Sequence, residues 1–238
     1  MSLLEAAAAA ATMALGSLVQ GVAGFGLALV TAPPLTLLDP LLVPGPIMAS
    51  ALLLTGLMAW RDRSEIHFAG IGWVYLGRLP GTALGAFAVA VLPPREMGVL
   101  IGVAVLLAVS MVASGWKLRP TRATLAAAGL VSGVMGTASA IGGPPLAMVY
   151  LDSGPERLRG TLAGNFLLGT ATSLAALTLV GRFGGAELLA TGLLVPGVVA
   201  GYLLSNRALR LLGRERIREA VLALSTAGGL AVIAKSLL

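Results

Sequence analysis

The sequence predicts an all-α integral membrane protein, and three observations lead to this fold class. Hydrophobic residues make up 57% of the 238 residues and charged residues only 11%, whereas soluble domains carry about 25% charged residues. The mean hydropathy is +0.95. The charged residues divide the chain into eight apolar blocks, and most blocks have about the 20 residues that cross a bilayer core. A soluble fold is excluded because it would leave this apolar surface in water.

The rest of the composition excludes several other classes. The net charge of +6 could suggest a nucleic-acid partner, but the basic residues lie in short loops between apolar blocks. That placement is typical of the cytoplasmic loops of membrane proteins, so we expect a lipid bilayer and no nucleic acid as partner. The absence of cysteine excludes disulfides, cysteine metal sites and thiol catalysis. Because residues 1–5 carry no positive charge, the N-terminus is expected to be a retained helix rather than a cleaved signal.

Two of the eight blocks are too long for one membrane-spanning helix. In chain order the blocks are 6–38, 41–60, 66–92, 96–115, 123–151, 160–180, 186–206 and 217–236. The first is interrupted between Gly21 and Gly26 and again at Pro33-Pro34, and the fifth is interrupted between Gly133 and Pro145. Glycine frees the backbone and proline removes a hydrogen-bond donor, so each block should contain a break. A broken block either crosses the membrane with a kink or folds back as a re-entrant hairpin.

Loop charge favours the hairpins. If all eight blocks cross, the fifteen basic residues in the loops and at the block ends divide eight against seven between the two sides. If the first and fifth blocks return to the side they entered from, the division becomes twelve against three. Cytoplasmic loops carry the excess of Lys and Arg. The second arrangement predicts six full crossings, two re-entrant hairpins and both termini outside the cytoplasm. The three residues on the outer side are then Arg95, Arg182 and Lys235.

The two halves of the chain also resemble each other. Leu79-Pro80-Gly81 recurs 116 residues later as Val195-Pro196-Gly197, the Ser17…Gly21 pair recurs as Ser132…Gly136 at an offset of 115, and the proline pairs recur at 111. We therefore predict two membrane repeats, residues 1–116 and 117–238, each with one broken hairpin and three crossings. Because three is odd, the second repeat should be inverted relative to the first. The alternative is chance recurrence of Gly, Pro and Leu.

The residues around the two breaks resemble those of a known family. The first break contains Gly21-Val22-Ala23-Gly24-Phe25-Gly26 and then Pro33-Pro34-Leu35. The second contains Gly133-Val134-Met135-Gly136 and then Ile141-Gly142-Gly143-Pro144-Pro145-Leu146. With these motifs at the start of each half, the whole chain is similar to the TauE/SafE family of sulfite-exporter-like transporters. The resemblance implies transport of sulfite, thiosulfate or organosulfonates such as sulfoacetate across a bacterial-type plasma membrane.

The breaks themselves predict an anion site. A helix that starts inside the membrane has backbone N–H groups without partners, and these must face protein or water rather than lipid. Such N–H groups and the positive end of the helix dipole favour an anion. The alternative is that the glycines only let helices pack closely. The predicted binding residues are Gly24, Phe25, Gly26, Arg78, Thr137, Ser139, Gly142, Gly143 and Asn165.

Arg78 is the only charged residue near the middle of a hydrophobic block. An arginine in the membrane costs about 2.5–3.5 kcal/mol on insertion scales. A transported anion could compensate it, because guanidinium forms two parallel hydrogen bonds to an oxyanion. The alternative is a structural arginine bonded to carbonyls that Pro80 leaves free. For Asn165 there are likewise two interpretations: its amide binds the anion, or it joins two helices by a hydrogen bond.

Enzymatic functions lack the residues they need. No Asp or Glu lies in the middle of a block, and the one histidine, His67, lies in a loop. Intramembrane proteases need carboxylates or histidines within the membrane, and lipid-phosphate transferases need acidic metal ligands. We therefore expect a transporter without a cofactor that works by alternating access, with a channel as the alternative. The exact anion, the direction, the coupling ion and the oligomeric state stay open at this stage.

Overall fold

The computed structural model describes residues 2–238, apart from the side chains of Asn206, Leu209, Leu212 and Arg214. Every regular element in this part of the chain is helical. The α-helices are α1 Leu3–Ala23, α2 Leu27–Leu38, α3 Gly45–Arg61, α4 Ile71–Val91, α5 Pro94–Ser114, α6 Arg122–Ser139, α7 Gly143–Tyr150, α8 Pro155–Leu179 and α9 Gly185–Leu237. Gly213 has φ 73° and ψ 164° and divides α9 into two arms. The prediction of an all-helical protein is confirmed.

Seven segments of the described chain are long and apolar enough to cross a membrane. They are Leu3–Ala23, Pro40–Arg61, Ile71–Val91, Pro94–Ser114, Pro155–Leu179, Gly185–Ser205 and Glu215–Leu237. Large apolar side chains are exposed in the middle of these helices, for example Leu84 and Phe87 of α4, as lipid contact requires. The seventh segment, beyond the six crossings predicted, is α1, because the first hairpin contains a helix of 21 residues.

The first break reverses the chain at two glycines. Gly24 has φ 90° and Gly26 has φ 109°, values that favour glycine because a Cβ atom is strained there. Gln20 of α1 accepts a hydrogen bond from the backbone N–H of Leu27 at 3.3 Å. A methyl group at Gly16 would lie 2.4 Å from Cγ2 of Thr31. Helix α2 therefore folds back along α1 and forms a tight hairpin.

The second break has the same form on other residues. Ala140 ends α6 with φ 63°, and α7 begins at Gly143. The hydroxyl of Ser132 donates to the carbonyl of Gly142 at 2.6 Å, so α7 starts beside the middle of α6. Leu118 N–H, before α6, bonds the carbonyl of Met148 at 2.9 Å. The chain thus returns along α6 towards the end it came from.

The proline pairs do not form the breaks, contrary to the sequence prediction. Pro33 and Pro34 lie inside α2, which continues to Leu38. Pro144 and Pro145 lie in the first turn of α7, where a missing N–H leaves no intrahelical bond unmade. The chain reverses instead at the residues with left-handed backbone, Gly24 and Gly26 in the first break and Ala140 in the second.

Each hairpin packs on a helix from the opposite half of the chain through glycines. A methyl group at Gly197 of α9 would lie 2.1 Å from the carbonyl oxygen of Ala10, and one at Gly201 would lie 2.1 Å from that of Ala14. The backbones of α1 and α9 therefore touch, and the two helices run parallel. We call this contact the first seam.

The second seam joins α6 to α4 in the same way. A methyl group at Gly81 of α4 would lie 2.2 Å from the carbonyl oxygen of Leu130, and one at Gly85 would lie 2.8 Å from that of Val134. Small residues that let backbones approach are typical of helix contacts in membranes. Each half of the chain thus contributes its hairpin to one seam and its Pro-Gly helix to the other.

The basic residues separate to the two ends of the bundle. Arg95 bonds the carbonyl of Ser236 at 2.8 Å, and Lys235 bonds that of Leu37 at 2.9 Å. Arg182 bonds the carbonyl of Ala90 at 2.9 Å. We call this the sparse end, because it holds only these three basic residues of the described chain.

The loops with the remaining basic residues meet at the opposite end, which we call the basic end. Lys117 pairs with Asp152 at 2.6 Å, and Arg218 bonds the carbonyl of Val112 at 2.8 Å. The side chain of Arg214 lies outside the described part. The chain just before α1 and just after α2 both lie at the sparse end, as a hairpin requires. The sides of the bilayer on which the two ends lie stay a prediction.

Candidate functional site

A small cavity lies between the two helix breaks. Its volume is about 50 Å³, and α1, α2, α3, α4, α6, α7 and α8 contribute to its walls. The residues that line it are Gln20, Phe25, Gly26, Leu27, Ala28, Leu29, Met48, Ala51, Thr55, Arg78, Gly136, Ala140, Ile141, Gly142, Gly143, Pro144, Phe166 and Thr170. The fold therefore brings together two segments that are more than 100 residues apart in the chain.

Five of the nine predicted binding residues line this cavity. They are Phe25, Gly26, Arg78, Gly142 and Gly143. Phe25 lies against the second break, since a methyl group at Gly143 would lie 2.8 Å from its Cβ atom. Glycine at 143 is thus what lets the two breaks touch.

The other four predicted residues lie outside the lining. Their side-chain hydrogen bonds go to protein groups, while Oδ1 of Asn165 is buried without a partner among the described residues. Thr137 shares a hydrogen bond of 2.8 Å with Ser173. Ser139 donates to the carbonyl of Met135 at 2.7 Å. The remaining two contacts are the amide of Asn165 with the carbonyl of Thr161 at 2.8 Å, and the packing of Gly24 on Arg159.

Sequence reasoning did not assign several lining residues to the site. Thr55 of α3, Phe166 and Thr170 of α8 and Met48 of α3 are all buried at the cavity. In the sequence they are ordinary residues of apolar blocks, and nothing marks which face of α3 or α8 turns towards the breaks. Gln20 could have been identified from the sequence as a site residue, because it is a polar residue directly before the first break.

Arg78 is buried at the cavity wall, with 3% of its surface exposed. Its Nη1 donates to the hydroxyl of Ser132 at 2.8 Å, and that hydroxyl donates onward to the carbonyl of Gly142 at 2.6 Å. In the described part of the chain, no carboxylate forms an ion pair with Arg78. The cavity wall therefore carries a positive charge that this part of the protein does not neutralise.

The guanidinium of Arg78 lies in a slot that glycine makes possible. A methyl group at Gly169 of α8 would lie 2.2 Å from both Cζ and Nε of Arg78. The Nε atom is buried without a hydrogen-bond partner among the described residues. Helix α8 thus supports one face of the guanidinium, and Ser132 of α6 holds one of its nitrogens.

The starts of the two short helices are not chemically equivalent. In α2 the N–H of Leu27 is bonded to Gln20, and the next two residues, Ala28 and Leu29, retain N–H groups that the first turn cannot bond. In α7 the prolines at 144 and 145 have no N–H group. The two helix starts therefore offer different donors to an anion. The first break supplies most of the backbone donors, and Arg78 supplies the charge on the side of the second.

The dimensions and chemistry of the cavity suit a small oxyanion. One water molecule needs about 10–15 Å³, so a cavity of about 50 Å³ has room for a small polyatomic ion. Guanidinium and N–H donors are the groups that bind oxyanions. Where the chain is described, no three or more His, Asp or Glu side chains form a group that could hold a metal.

The fold and the cavity define a multi-pass α-helical membrane protein with a buried, positively charged pocket. A family model described as sulfite exporter TauE/SafE matches residues 8–232. The chain therefore belongs to the TauE/SafE family of membrane transporters, and the predicted family is confirmed. Searches of curated proteins and of solved structures returned no match.

Proposed function

We propose that this protein is a secondary transporter that moves small sulfur-containing anions across the plasma membrane by alternating access. The anion binds in the cavity between the two helix breaks, beside Arg78. The observation that carries the proposal is a buried guanidinium at the cavity without a carboxylate partner in the described chain.

The charge of Arg78 gives the binding energy a physical source. A buried unpaired cation is costly, and an anion in the cavity would reduce that cost. Guanidinium has five N–H donors, of which one is bonded, to Ser132. The remaining donors suit the oxygens of sulfite or of a sulfonate group. In this arrangement Phe25, Gly26, Gly142 and Gly143 form the walls that bring the backbone close to the anion.

The surroundings of the cavity support alternating access. Towards the sparse end lies a tight apolar layer of Met48, Val89, Ala138 and Leu177. Met48 lines the cavity, and Val89 on the far side lines a wide vestibule of about 690 Å³. Towards the basic end, Phe25 and Pro144 lie between the cavity and a second chamber. Opening one side at a time would require only these thin layers to separate.

The two seams support inverted repeats at residues 1–116 and 117–238. Gly197 and Gly201 follow Gly81 and Gly85 by 116 residues, and each pair contacts two carbonyls that are one helical turn apart. The carbonyls of Leu130 and Val134, in the second seam, follow those of Ala10 and Ala14, in the first seam, by 120 residues. The same register therefore occurs twice with the halves exchanged, as a two-fold relation between inverted repeats would produce. In this proposal the basic end faces the cytoplasm and both termini lie outside it.

A binding panel in lipid nanodiscs tests the substrate class. Sulfite, thiosulfate, sulfoacetate, taurine, sulfate and acetate are titrated against the purified protein. We expect one or more of the sulfur anions to bind more tightly than acetate. Arg78→Gln should abolish that binding in folded protein, Arg78→Lys should retain part of it, and Arg182→Gln, outside the cavity, should leave it unchanged. Equal binding of acetate would show a general carrier of small carboxylates and inorganic anions instead.

Flux in proteoliposomes separates the transporter from its rivals. A transporter gives saturable anion uptake with counterflow, whereas a channel gives an unsaturable current that follows the driving force. Conversion of the anion to another species during the assay would indicate an intramembrane enzyme. Saturable counterflow that is lost in Arg78→Gln is the result expected here.

A further inference from the structure

A second, larger chamber adjoins the cavity at the basic end. Its volume is about 380 Å³, against about 50 Å³ for the cavity. The ends of α1, α5 and α7 and the second arm of α9 enclose it. The two spaces share four lining residues, Phe25, Gly26, Leu29 and Pro144. They are therefore neighbouring compartments with a common wall.

The walls of the chamber are apolar except for two cations. Side chains such as Val22, Met111, Ala147 and Val221 form most of the surface, and Lys117 and Arg218 are the two charged residues of the lining. A passage for inorganic anions alone would gain nothing from such a surface, because an anion loses its hydration there without receiving hydrogen bonds. A hydrocarbon group gains free energy on the same surface.

The two cations give the chamber a polarity. Lys117 is paired with Asp152, and Arg218 is bonded to the end of α5, so both lie at the basic end. Arg78 lies in the cavity beyond the common wall. Because Asp152 neutralises Lys117, Arg218 and Arg78 carry the positive charge beside this apolar compartment, which favours a molecule with an anionic head and an apolar body over a cationic one.

Phe25 stands in the common wall with a glycine on each side. Gly24 and Gly26 both have positive φ, so the backbone on either side of the ring has freedom that other residues lack. The Phe25 side chain is partly exposed and packs against the buried cluster around Phe166. Its side chain lines both spaces, so the ring separates the cavity from the chamber.

We propose that the apolar chamber holds the hydrocarbon end of an anion whose charged head lies beside Arg78, with Phe25 dividing the two. The substrate class this selects is alkyl-bearing sulfonates rather than sulfite alone. The inference rests on the proposed function, since the head must bind in the cavity.

The experiment is a chain-length series in nanodiscs, where no detergent competes for the chamber. Methanesulfonate, butanesulfonate and hexanesulfonate are titrated by calorimetry, with hexanesulfonamide as the uncharged analogue. We expect the affinity to rise roughly two- to fourfold per methylene buried, and the sulfonamide to bind at least tenfold more weakly than hexanesulfonate. Arg78→Gln should remove the binding of the whole series.

A variant that fills the chamber tests whether the chamber causes the gain in affinity with chain length. Met111→Trp places a bulky ring in the chamber and should remove the gain with chain length while methanesulfonate binds as in the wild type. Leu107→Trp, on the exposed side of the same helix, should retain the gain. Arg78-dependent binding without any gain with chain length would overturn this inference and leave the proposed function standing. Equal binding of the sulfonamide would overturn it by showing a simple apolar pocket. Failure of every anion to bind would overturn the proposed function as well.

Discussion

Arg78 and Ser132 are joined by a buried hydrogen bond of 2.8 Å between Nη1 and the hydroxyl oxygen. The same hydroxyl donates to the carbonyl of Gly142 in the second break at 2.6 Å. A serine hydroxyl has one donor and two acceptor positions, so this side chain orients both partners at once. The position of the charge is thereby coupled to the position of the helix break.

Ser132→Ala should lower both anion affinity and stability. The change leaves the carbonyl of Gly142 without this donor and removes a partner from Arg78, and buried polar groups without partners cost about 1–3 kcal/mol. We expect the affinity for the best sulfur anion to fall roughly tenfold, measured by calorimetry, together with a lower melting temperature. Ser110→Ala is the control, because that hydroxyl bonds its own helix on the exposed side of α5. Unchanged affinity in Ser132→Ala would contradict the coupling.

Thr137→Val and Ser139→Ala test the two hydroxyls that the sequence assigned to the anion. In this structure both bond to protein and neither lines the cavity. We therefore expect each substitution to weaken anion binding less than Ser132→Ala does. Losses as large as that of Ser132→Ala, in protein with normal melting temperature, would show that these hydroxyls reach the anion in another conformation.

Gly169→Ala should act through Arg78. The new methyl group would overlap the guanidinium, and a flexible side chain can move away without unfolding the protein. We expect roughly a tenfold or greater loss of anion affinity, which corresponds to about 1.4 kcal/mol or more. Gly164→Ala, on the same helix and with no contact to Arg78, is the control.

A double-mutant cycle makes this test specific. In an Arg78→Lys background, where the guanidinium is absent, Gly169→Ala should cost much less than in the wild type, because the two changes act on one interaction. Additive losses would mean that the alanine disturbs α8 by another route.

The seam glycines should be sensitive in matched pairs. Gly81→Ala and Gly197→Ala each place a methyl group about 2 Å from a backbone carbonyl oxygen, and a backbone cannot move aside easily. Overpacking of this kind costs about 1–3 kcal/mol, so both variants should lose melting temperature by a similar amount. The controls lie on the same two helices: Gly72→Ala and Gly192→Ala meet no atom within 4 Å. If only one seam were sensitive, the two-fold relation between the halves would lose its main support.

Much of the fold is predictable because lipid imposes it. An apolar run must form a helix to satisfy its backbone in the membrane, so block 66–92 becomes α4 and block 96–115 becomes α5 with small shifts at the ends. The exact break was less predictable. Pro33 and Pro34 resemble a break in the sequence, yet α2 passes through them, because the reversal needs the left-handed conformations of Gly24 and Gly26.

The site was predictable where a residue contradicts its surroundings. Arg78 in an apolar block and the paired glycines are visible in the sequence for that reason. Thr55, Phe166 and Gly169 are not, since their role depends on how α3 and α8 are rotated against the breaks. The repeat shows the same limit. Matching identical residues relates Ser17 to Ser132, an offset of 115. The seam contacts instead relate α1 to α6 at an offset of 120. A comparison of single residues in the sequence does not reveal this second offset.

The orientation of the bundle in the membrane can be tested by cysteine labelling. The protein has no cysteine of its own, so only introduced cysteines react. Single cysteines are introduced at Asp39, Gly181, Arg63 and Gly154 and labelled in intact cells with a membrane-impermeant maleimide. Asp39 and Gly181 belong to the sparse end, Arg63 and Gly154 to the basic end. All four are exposed or partly exposed and lie between the α-helices, so each should react if the reagent reaches it.

Labelling at Asp39 and Gly181 in intact cells, and at Arg63 and Gly154 only after permeabilisation, is the expected result. The reason is the excess of Lys and Arg at the basic end, which holds loops in the cytoplasm. The position at Asp39 is the decisive one. If the first block crossed the membrane fully, residue 39 would lie opposite the N-terminus, so a cysteine at Ser2 provides the comparison. Labelling of Ser2 and Asp39 from the same side supports the hairpin, and labelling from opposite sides would refute it and the inverted repeat with it.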